Sequence, residues 1–227
     1  MGKYKVIDGN EACAHISYMF TEIAGIYPIT PASPMSEYID KWSTEGRLNL
    51  FNNRVKLIEM QSEAGAIALV HGSLQTGSLA STYTASQGLL LMIPSMYKIA
   101  GEMLPCVINV ASRTVTTHAL SIFGDHSDIY ASRSTGFCFL ASSSVEDTIY
   151  MTLASYLSTL KGKLPFVNFF DGFRTSHELN KVYVPDMSEI KGLVPFKTID
   201  NFRKESMISK KQIKGTTQND DVYFQNL

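Results

Sequence analysis

Apolar residues along this chain fall into two kinds of segment that follow one another with some regularity. Short, continuously apolar runs are typical of strands buried on both faces, whereas longer segments with apolar residues at helical spacing predict helices. The predicted strands are 24–29, 55–60, 79–84, 105–111, 137–141 and 166–170. The predicted helices are 12–20, 34–45, 62–75, 86–101 and 145–160. This alternation predicts a doubly wound α/β domain, in which right-handed crossovers place helices on both faces of a mostly parallel sheet.

Capping and turn residues support several of these boundaries. Asp8 or Asn10 is placed to cap the first helix, and Gly46 and Gly77 follow the second and third helices. Side-chain oxygens at a helix start and glycines just after its end satisfy backbone groups that the helix leaves unpaired. The helical interpretation therefore does not depend on apolar spacing alone.

The regular pattern fades after about Glu178. Residues 185–202 carry only scattered apolar side chains, and the polar stretch 212–227 ends in Tyr223-Phe224-Gln225-Asn226-Leu227. Aromatic residues at a chain end more often indicate a neighbour that covers them than a free terminus. We therefore expect one folded domain over residues 1–178 and a poorly structured extension over residues 179–227 that leads toward further domains.

Composition narrows the class of protein. The 227 residues are 44% hydrophobic, enough for a sizeable core, and the formal net charge is −1. A near-neutral chain gives no reason to expect binding to nucleic acid or to an acidic membrane, and no apolar segment has membrane length. Cys13, Cys106 and Cys138 are widely spaced without any CxxC, which argues against disulfides, zinc or a cluster in this chain. Buried reduced thiols suit a cytoplasmic protein.

Ligands of open α/β sheets bind outside the carboxyl ends of the strands. The first loop at such an end, residues 27–34, contains three prolines and presents the hydroxyl and N–H of Thr30 on a rigid backbone. A helix cap from Thr30 or Ser33 explains the same residues equally well. The sequence leaves both interpretations open.

Two further loops carry a charged residue each. Glu63 begins the helix that follows the second strand, and small residues 64–66 let another group approach closely. The alternative is that Glu63 only stabilises the helix N-terminus. Arg113, after the strand 105–111, is placed to bind a carboxylate in a bidentate manner, or else is a solvated surface residue.

A fourth loop brings Asp125, His126 and Asp128 together. No second histidine stands at ligand spacing, which argues against a metal site here, and nothing supports His126 as a general base. The other histidines have no convergent partners and are interpreted as structural. Nucleotide-binding and nucleophile-elbow motifs of the GxGxxG, GxxxxGK[ST] and GxSxG types are absent.

Several segments, taken together and in order, resemble pyruvate:ferredoxin (flavodoxin) oxidoreductases over nearly the whole chain. They are Asp8-Gly9-Asn10-Glu11-Ala12, Tyr27-Pro28-Ile29-Thr30-Pro31, Glu59-Met60-Gln61-Ser62-Glu63-Ala64-Gly65, the run from Tyr83 to Met92, Phe123-Gly124-Asp125-His126-Ser127-Asp128 and Gly215-Thr216-Thr217-Gln218-Asn219. The combination is far more specific than any one motif.

The resemblance implies an enzyme that converts pyruvate, coenzyme A and an oxidised ferredoxin or flavodoxin into acetyl-CoA, carbon dioxide and the reduced carrier. It also implies thiamine diphosphate, Mg²⁺ and [4Fe–4S] clusters as cofactors, and a homodimer. In this family the first domain binds the aminopyrimidine half of thiamine, and a distant domain binds the diphosphate and the metal. The present chain resembles the pyrimidine-side domain.

The resemblance also implies roles for individual residues. Glu63 matches the glutamate that hydrogen-bonds the aminopyrimidine ring nitrogen, and Thr30 and Arg113 match the residues that hold the substrate. Pro28 matches part of the wall beside the aminopyrimidine. Departures from the family pattern, such as Ala32 in place of a common serine, lie outside these positions.

Members of the family are several times longer than this chain. The regions that bind the clusters, the diphosphate with Mg²⁺, and coenzyme A are not in the sequence, so we expect the isolated chain to be inactive. Two alternatives remain open at this point. The enzyme acts on another 2-oxoacid, or the domain is a retained module without catalytic function.

Overall fold

The computed structural model describes residues 1–211 and 217–225 of the chain. Six strands form a parallel sheet in the order β3-β2-β4-β5-β7-β6, and two more, β1 and β8, form a separate antiparallel pair. The strands are β1 Lys3–Ile7, β2 Ile23–Ile26, β3 Lys56–Glu59, β4 Ala80–Thr84, β5 Val107–Ser112, β6 Cys138–Ser142, β7 Phe166–Asp171 and β8 Asn180–Val184.

Helices cover both faces of the sheet. The helices are α1 Gly9–Phe20, α2 Ser33–Thr44, α3 Glu63–Gln75, α4 Ser86–Gly101, α5 Ser127–Ser132, α6 Val145–Gly162, α7 Met187–Ile190, α8 Phe196–Lys204, α9 Met207–Lys210 and α10 Asp220–Tyr223. Helix α1 packs between α2 and α6 on one face, and α4 packs between α3 and α5 on the other. Every residue of β4 and β5 is buried, which explains why exposed and buried positions do not alternate along these strands. The predicted doubly wound α/β fold is confirmed.

The capping prediction is resolved in favour of Asp8. Its side chain accepts a hydrogen bond from the Glu11 N–H at 2.8 Å, whereas Asn10 is buried and its Nδ2 donates to the carbonyl of Pro31 at 3.0 Å. Ser62 caps α3 by accepting from the N–H of Gly65. Helix α3 therefore begins at Glu63, one residue later than predicted.

The order of the strands creates a crevice at the carboxyl ends of β2 and β4. The chain leaves β2 for β3 on one side and then crosses β2 to reach β4 on the other. Right-handed crossovers in opposite directions place their helices on opposite faces, so the loops after β2 and β4 diverge. Candidate ligand-binding residues are expected at this edge.

Regular structure continues past Glu178, where the sequence pattern fades. Strand β8 pairs with β1, and Val182, Ile190 and Ile199 enter the same core cluster as Ile7. The expected extension is therefore ordered through Lys210 rather than poorly structured from residue 179. The pattern is weak there because each apolar side chain packs against a distant part of the chain. Seven residues of the stretch 212–227 discussed above lie outside the described residues, namely 212–216, 226 and 227, and they include Gly215 and Thr216 of the quoted segment.

Two global expectations concern thiols and membranes. All three cysteines are free; Cys13 and Cys106 are buried and Cys138 is partly buried. Burial raises the pKa of the Cys13 and Cys106 thiols to about 12, so neither forms a thiolate near neutral pH. Within the part of the chain that the structure describes, no helix has the length and apolar character needed to cross a bilayer.

Candidate active site

Arg113 and Thr30, which are predicted from separate loops, meet at the carboxyl edge of the sheet. The Nη1 of Arg113 donates to the carbonyl of Thr30 at 2.7 Å, and its Nη2 donates to Oε1 of Gln87 at 3.3 Å. Arg113 is only 7% exposed, so it is not a solvated surface residue. A guanidinium has five N–H donors, and these two contacts leave donors for a ligand.

The electrostatic surroundings of Arg113 link it to Glu63. Burial lowers the pKa of Arg113, and the negative charges of Asp128 and Glu63 act in the opposite direction. The Nε of Arg113 is buried without an acceptor among the described residues. A buried donor without a partner costs free energy, which is typical of a site that awaits a ligand.

The loop after β2 is held in place without using the side chain of Thr30. The N-cap residue of helix α2 is Ala32, which makes no side-chain capping bond, so neither Thr30 nor Ser33 serves as the N-cap. The Thr30–Pro31 peptide bond is cis, and Asn10 anchors the loop through Pro31. Thr30 and Pro28 are exposed at the open edge. The capping alternative for Thr30 is therefore excluded.

Glu63 is the first residue of α3 and is 7% exposed. Among residues 1–211 and 217–225, no group donates a hydrogen bond to its carboxylate. The helix N-terminus stabilises a negative charge at this position, yet it leaves the two oxygens unpaired. A mostly buried carboxylate without a donor is available to a ligand at this edge.

Gly88, in the first turn of α4, lets Glu63 approach that helix. A Cβ on Gly88 would lie 3.0 Å from Oε1 of Glu63 and 2.9 Å from its Cγ, and it would also collide with Oγ1 of Thr84. Thr84 Oγ1 is itself buried without a partner among the described residues. Sequence reasoning assigned no role to Gly88, Thr84 or Gln87, although all three lie in the quoted run from Tyr83 to Met92.

The acidic loop before α5 does not assemble a metal site. In the described ranges, no group of three or more His, Cys, Asp and Glu side chains is placed to hold a metal ion. The Oδ1 of Asp125 accepts from the N–H and hydroxyl of Ser127, and these bonds lower the pKa of Asp125 although burial opposes the shift. His126 is exposed, and its ring lies nearly perpendicular to that of Phe169. Asp128, in contrast, is fully buried.

A cavity of about 230 Å³ lies elsewhere, between the C-terminal ends of α3 and α6 and helix α8. It is lined by residues such as Leu74, Leu104 and Phe202. Leu74 stands eleven residues after Glu63 in α3, so the rise of a helix separates the two by roughly 16 Å. The cavity therefore belongs to the opposite edge of the sheet and not to this site.

The edge thus combines an unpaired carboxylate, an arginine with spare donors and an exposed, rigid loop. Such a set suits a ligand group that donates a hydrogen bond to the carboxylate, and a ligand carboxylate that accepts from the arginine. The side of the site beyond Pro28 and Thr30 is open to solvent.

Comparison with known proteins identifies the family. A family model described as "Pyruvate flavodoxin/ferredoxin oxidoreductase, thiamine diP-bdg" matches residues 16–226. The chain is 53% identical over 223 residues to the pyruvate:ferredoxin oxidoreductase of Moorella thermoacetica, and the alignment covers 98% of this chain and 19% of that protein. It is also 53% identical over 225 residues to the pyruvate-flavodoxin oxidoreductase of Klebsiella pneumoniae, and this alignment covers 99% of this chain and 19% of the relative.

A solved structure with the same fold is the 2-oxoglutarate:ferredoxin oxidoreductase from Magnetococcus marinus, which has 2-oxoglutarate, coenzyme A and succinyl-CoA bound. The match has a TM-score of 0.70 at 20% identity and covers 82% of this chain and 32% of the other. This chain spans about a fifth of the length of the curated relatives. The comparisons confirm the resemblance seen in the sequence: the chain belongs to the pyruvate flavodoxin/ferredoxin oxidoreductase family, in its thiamine diphosphate-binding part.

Proposed function

We propose that this chain is the pyrimidine-side domain of a thiamine diphosphate-dependent oxidoreductase that oxidatively decarboxylates pyruvate. The observation that carries the proposal is the unpaired, mostly buried carboxylate of Glu63 on the same edge as Arg113 and Thr30. A protein that used the fold only as a scaffold has no need for this combination. In this proposal residues 1–178 carry the site, and residues 179–227, which begin with segments packed into the same core, lead toward the remaining domains.

Glu63 is the residue that would bind the aminopyrimidine. No described donor occupies its carboxylate oxygens, and Gly88 lets the carboxylate lie close against the first turn of α4. When bound, the cofactor supplies the nucleophilic carbon and the electron sink that decarboxylation of a 2-oxoacid requires. Glu63 holds a proton between its carboxylate and the pyrimidine ring nitrogen, and Pro28 forms part of the wall beside the ring.

Arg113 and Thr30 orient the substrate. The spare N–H donors of Arg113 bind the pyruvate carboxylate, and the bond from Nη1 to the Thr30 carbonyl fixes the guanidinium against the loop after β2. Thr30, exposed beside it, holds the keto side of the substrate. Such orientation converts an encounter between two molecules into a reaction within one complex.

The other components belong to the remaining domains in this proposal. These are the site for the diphosphate and Mg²⁺, the [4Fe–4S] clusters, the coenzyme A region and the surface for ferredoxin or flavodoxin. The complete enzyme is cytoplasmic and a homodimer. Consequently the 227-residue chain alone should bind thiamine diphosphate weakly, and pyruvate-dependent reduction of ferredoxin by the purified chain would contradict the proposal.

The role of Glu63 can be tested in a chimera in which this chain replaces the matching region of the Moorella thermoacetica relative. Glu63→Gln removes an ionisable group at a cost of about 1 kcal/mol or less in stability, because only the helix-terminus interaction is lost. We expect exchange of the thiazolium proton for deuterium to slow by roughly 10²- to 10⁴-fold, the usual contribution of a proton-transfer group.

The matched control for this variant is Glu59→Gln, at an exposed position at the end of β3. It should exchange the proton at the wild-type rate. Wild-type exchange in Glu63→Gln, with the chimera folded and loaded with cofactor, would refute the assignment whatever the overall activity.

The role of Arg113 gives a different kinetic signature. Arg113→Ala removes a group that binds the substrate before the chemistry begins, so the KM for pyruvate should rise more than kcat falls. Arg133→Ala is the control, since Arg133 is exposed and donates only to the carbonyl of Tyr130. An unchanged KM in Arg113→Ala would exclude Arg113 from substrate binding.

A further inference from the structure

The buried carboxylate of Asp128, close to the candidate site, accepts four hydrogen bonds. The Oδ2 of Asp128 accepts from the backbone N–H of Ser86 at 2.8 Å and of Arg113 at 3.1 Å. Its Oδ1 accepts from the hydroxyl of Ser112 at 2.6 Å and from the N–H of Ile129 at 2.8 Å. Asp128 has no exposed surface, so none of these bonds is shared with bulk solvent.

The four donors come from three different elements. Ser86 begins α4, Ser112 ends β5 with Arg113 directly after it, and Ile129 lies in α5. Strands β4 and β5 are neighbours in the sheet. Beyond their carboxyl ends, Asp128 joins the loops that follow them, together with a bond from the Ser86 hydroxyl to the Thr114 carbonyl at 2.8 Å and one from Nε2 of Gln87 to the Thr116 carbonyl at 3.0 Å.

Both loops carry parts of the candidate site. Gln87, which follows Ser86, accepts from Nη2 of Arg113, and Gly88 contacts Glu63 one residue later. Ser86 adopts a left-handed backbone conformation with φ of 49°, which is unfavourable for a residue with a side chain. The bond from its N–H to Asp128 helps to hold this conformation, and with it the direction in which Gln87 points.

We propose that Asp128 is a positioning residue, which sets the place of the Arg113 guanidinium relative to Glu63 and Thr30. This inference rests on the proposed function, because it concerns how the substrate-binding arginine is held. Asp128 itself touches no substrate. Its loss would leave two buried N–H groups without an acceptor at the start of both loops, and the loops would relax to satisfy them.

The test uses the same chimera with Asp128→Ala and Asp128→Asn. Alanine removes all four bonds to Asp128 but leaves the bonds from Ser86 to Thr114 and from Gln87 to Thr116. Asparagine keeps one oxygen for the N–H groups of Ser86 and Arg113, but a neutral acceptor holds them more weakly than a charged one. Asp125→Ala is the control, because Asp125 lies in the same loop and its side chain accepts from Ser127, not from the N–H groups of Ser86 and Arg113 that Asp128 binds.

We expect the KM for pyruvate to rise by roughly 10- to 100-fold in Asp128→Ala, the scale of a misplacement of about 1 Å. Asp128→Asn should show a smaller rise of several-fold, and Asp125→Ala the wild-type value. A purely structural role for Asp128 would lower the unfolding temperature of both variants and leave KM unchanged in the folded protein. If Asp128→Ala does not fold, the KM of Asp128→Asn alone distinguishes the positioning role from a purely structural one.

A wild-type KM in any folded Asp128 variant would overturn the positioning role. The proposed function would survive that result, since it is decided separately by Arg113→Ala and by proton exchange in Glu63→Gln. An unchanged KM in Arg113→Ala, in contrast, would remove the substrate site that Asp128 is proposed to organise.

Discussion

At the scale of single residues, the site depends as much on an absent side chain as on the charged ones. Glu63 and Gly88 belong to different helices, and the carboxylate reaches the first turn of α4 only because position 88 has no Cβ. Glycine in a helix weakens that helix by roughly 0.5–1 kcal/mol relative to alanine. Its presence at position 88 is explained by the contact with Glu63 and Thr84 rather than by the needs of α4.

This contact gives a prediction. Gly88→Ala should lower stability by about 1–3 kcal/mol through overcrowding and should displace Glu63, so that thiamine diphosphate binds more weakly to the chimera. Gly101→Ala, in the same helix and with open space around the added Cβ, should leave binding unchanged and leave stability equal or slightly higher. Chemical denaturation and cofactor titration measure the two effects, and wild-type cofactor binding in Gly88→Ala would argue against the proposed location of the ring.

At the scale of elements, buried polar side chains connect the helices to the sheet. Nδ2 of Asn168 in β7 donates to Asn109 in β5 and to Thr152 in α6, and Nδ2 of Asn109 donates to the hydroxyl of Tyr156 in α6. These bonds fix the helix in one register on the strands, because any slip would leave buried amides without partners. The segment after Glu178 is attached through apolar packing, through the pairing of β8 with β1 and through an ion pair between Arg203 in α8 and Glu22.

The attachment of this segment can be tested at Ile199 in α8, which is 1% exposed within the core cluster that also contains Ile7. Ile199→Ala should lower the free energy of unfolding by roughly 2–5 kcal/mol, the cost of deleting a buried aliphatic side chain. Leu193→Ala, at a side chain that is 53% exposed, should change it by about 0.5 kcal/mol or less. Equal, small effects of both substitutions in denaturant unfolding would mean that α8 does not belong to the cooperative core.

At the scale of the whole molecule, one loop beside the site is unusually apolar. Residues 114–124 contain no Asp, Glu, Lys or Arg, and Leu120, Ile122 and Phe123 are 63%, 72% and 60% exposed. The base of the loop is fixed, because the N–H and hydroxyl of Thr114 both donate to the carbonyl of Phe123. A fixed loop that presents large apolar side chains is typical of a surface that another domain or molecule covers.

We therefore expect the purified 227-residue chain to bind an apolar fluorescent dye and to self-associate as its concentration rises. Replacing Leu120, Ile122 and Phe123 by serine together should reduce both effects while changing stability little, since the side chains are exposed. The matched control is a triple serine substitution at Tyr4, Leu179 and Leu193, which are exposed elsewhere on the surface. A monodisperse monomer at high concentration without dye binding would contradict the expectation.

The sequence by itself determined the layered fold and the loops that carry the candidate residues. A continuous apolar run indicates a strand buried on both faces, and apolar residues at helical spacing indicate a helix buried on one face. Both patterns can be recognised within a short stretch of sequence. The places of Thr30, Glu63 and Arg113 at strand ends followed from the same local signals. Their chemical roles came from the resemblance of several motifs taken together, because a single glutamate or arginine has an equally good structural explanation.

Only the tertiary structure decided which of these residues meet. The bond from Arg113 to Thr30 joins loops 83 residues apart, and the pairing of β1 with β8 joins the beginning of the chain to the segment after Glu178. The same is true of Asp128, whose sequence neighbours suggested a metal ligand, and which instead bonds to Ser86 and Arg113. A local pattern indicates whether a side chain is buried. Its distant partner is determined only when the strands pair into the sheet, which brings their carboxyl ends to one edge.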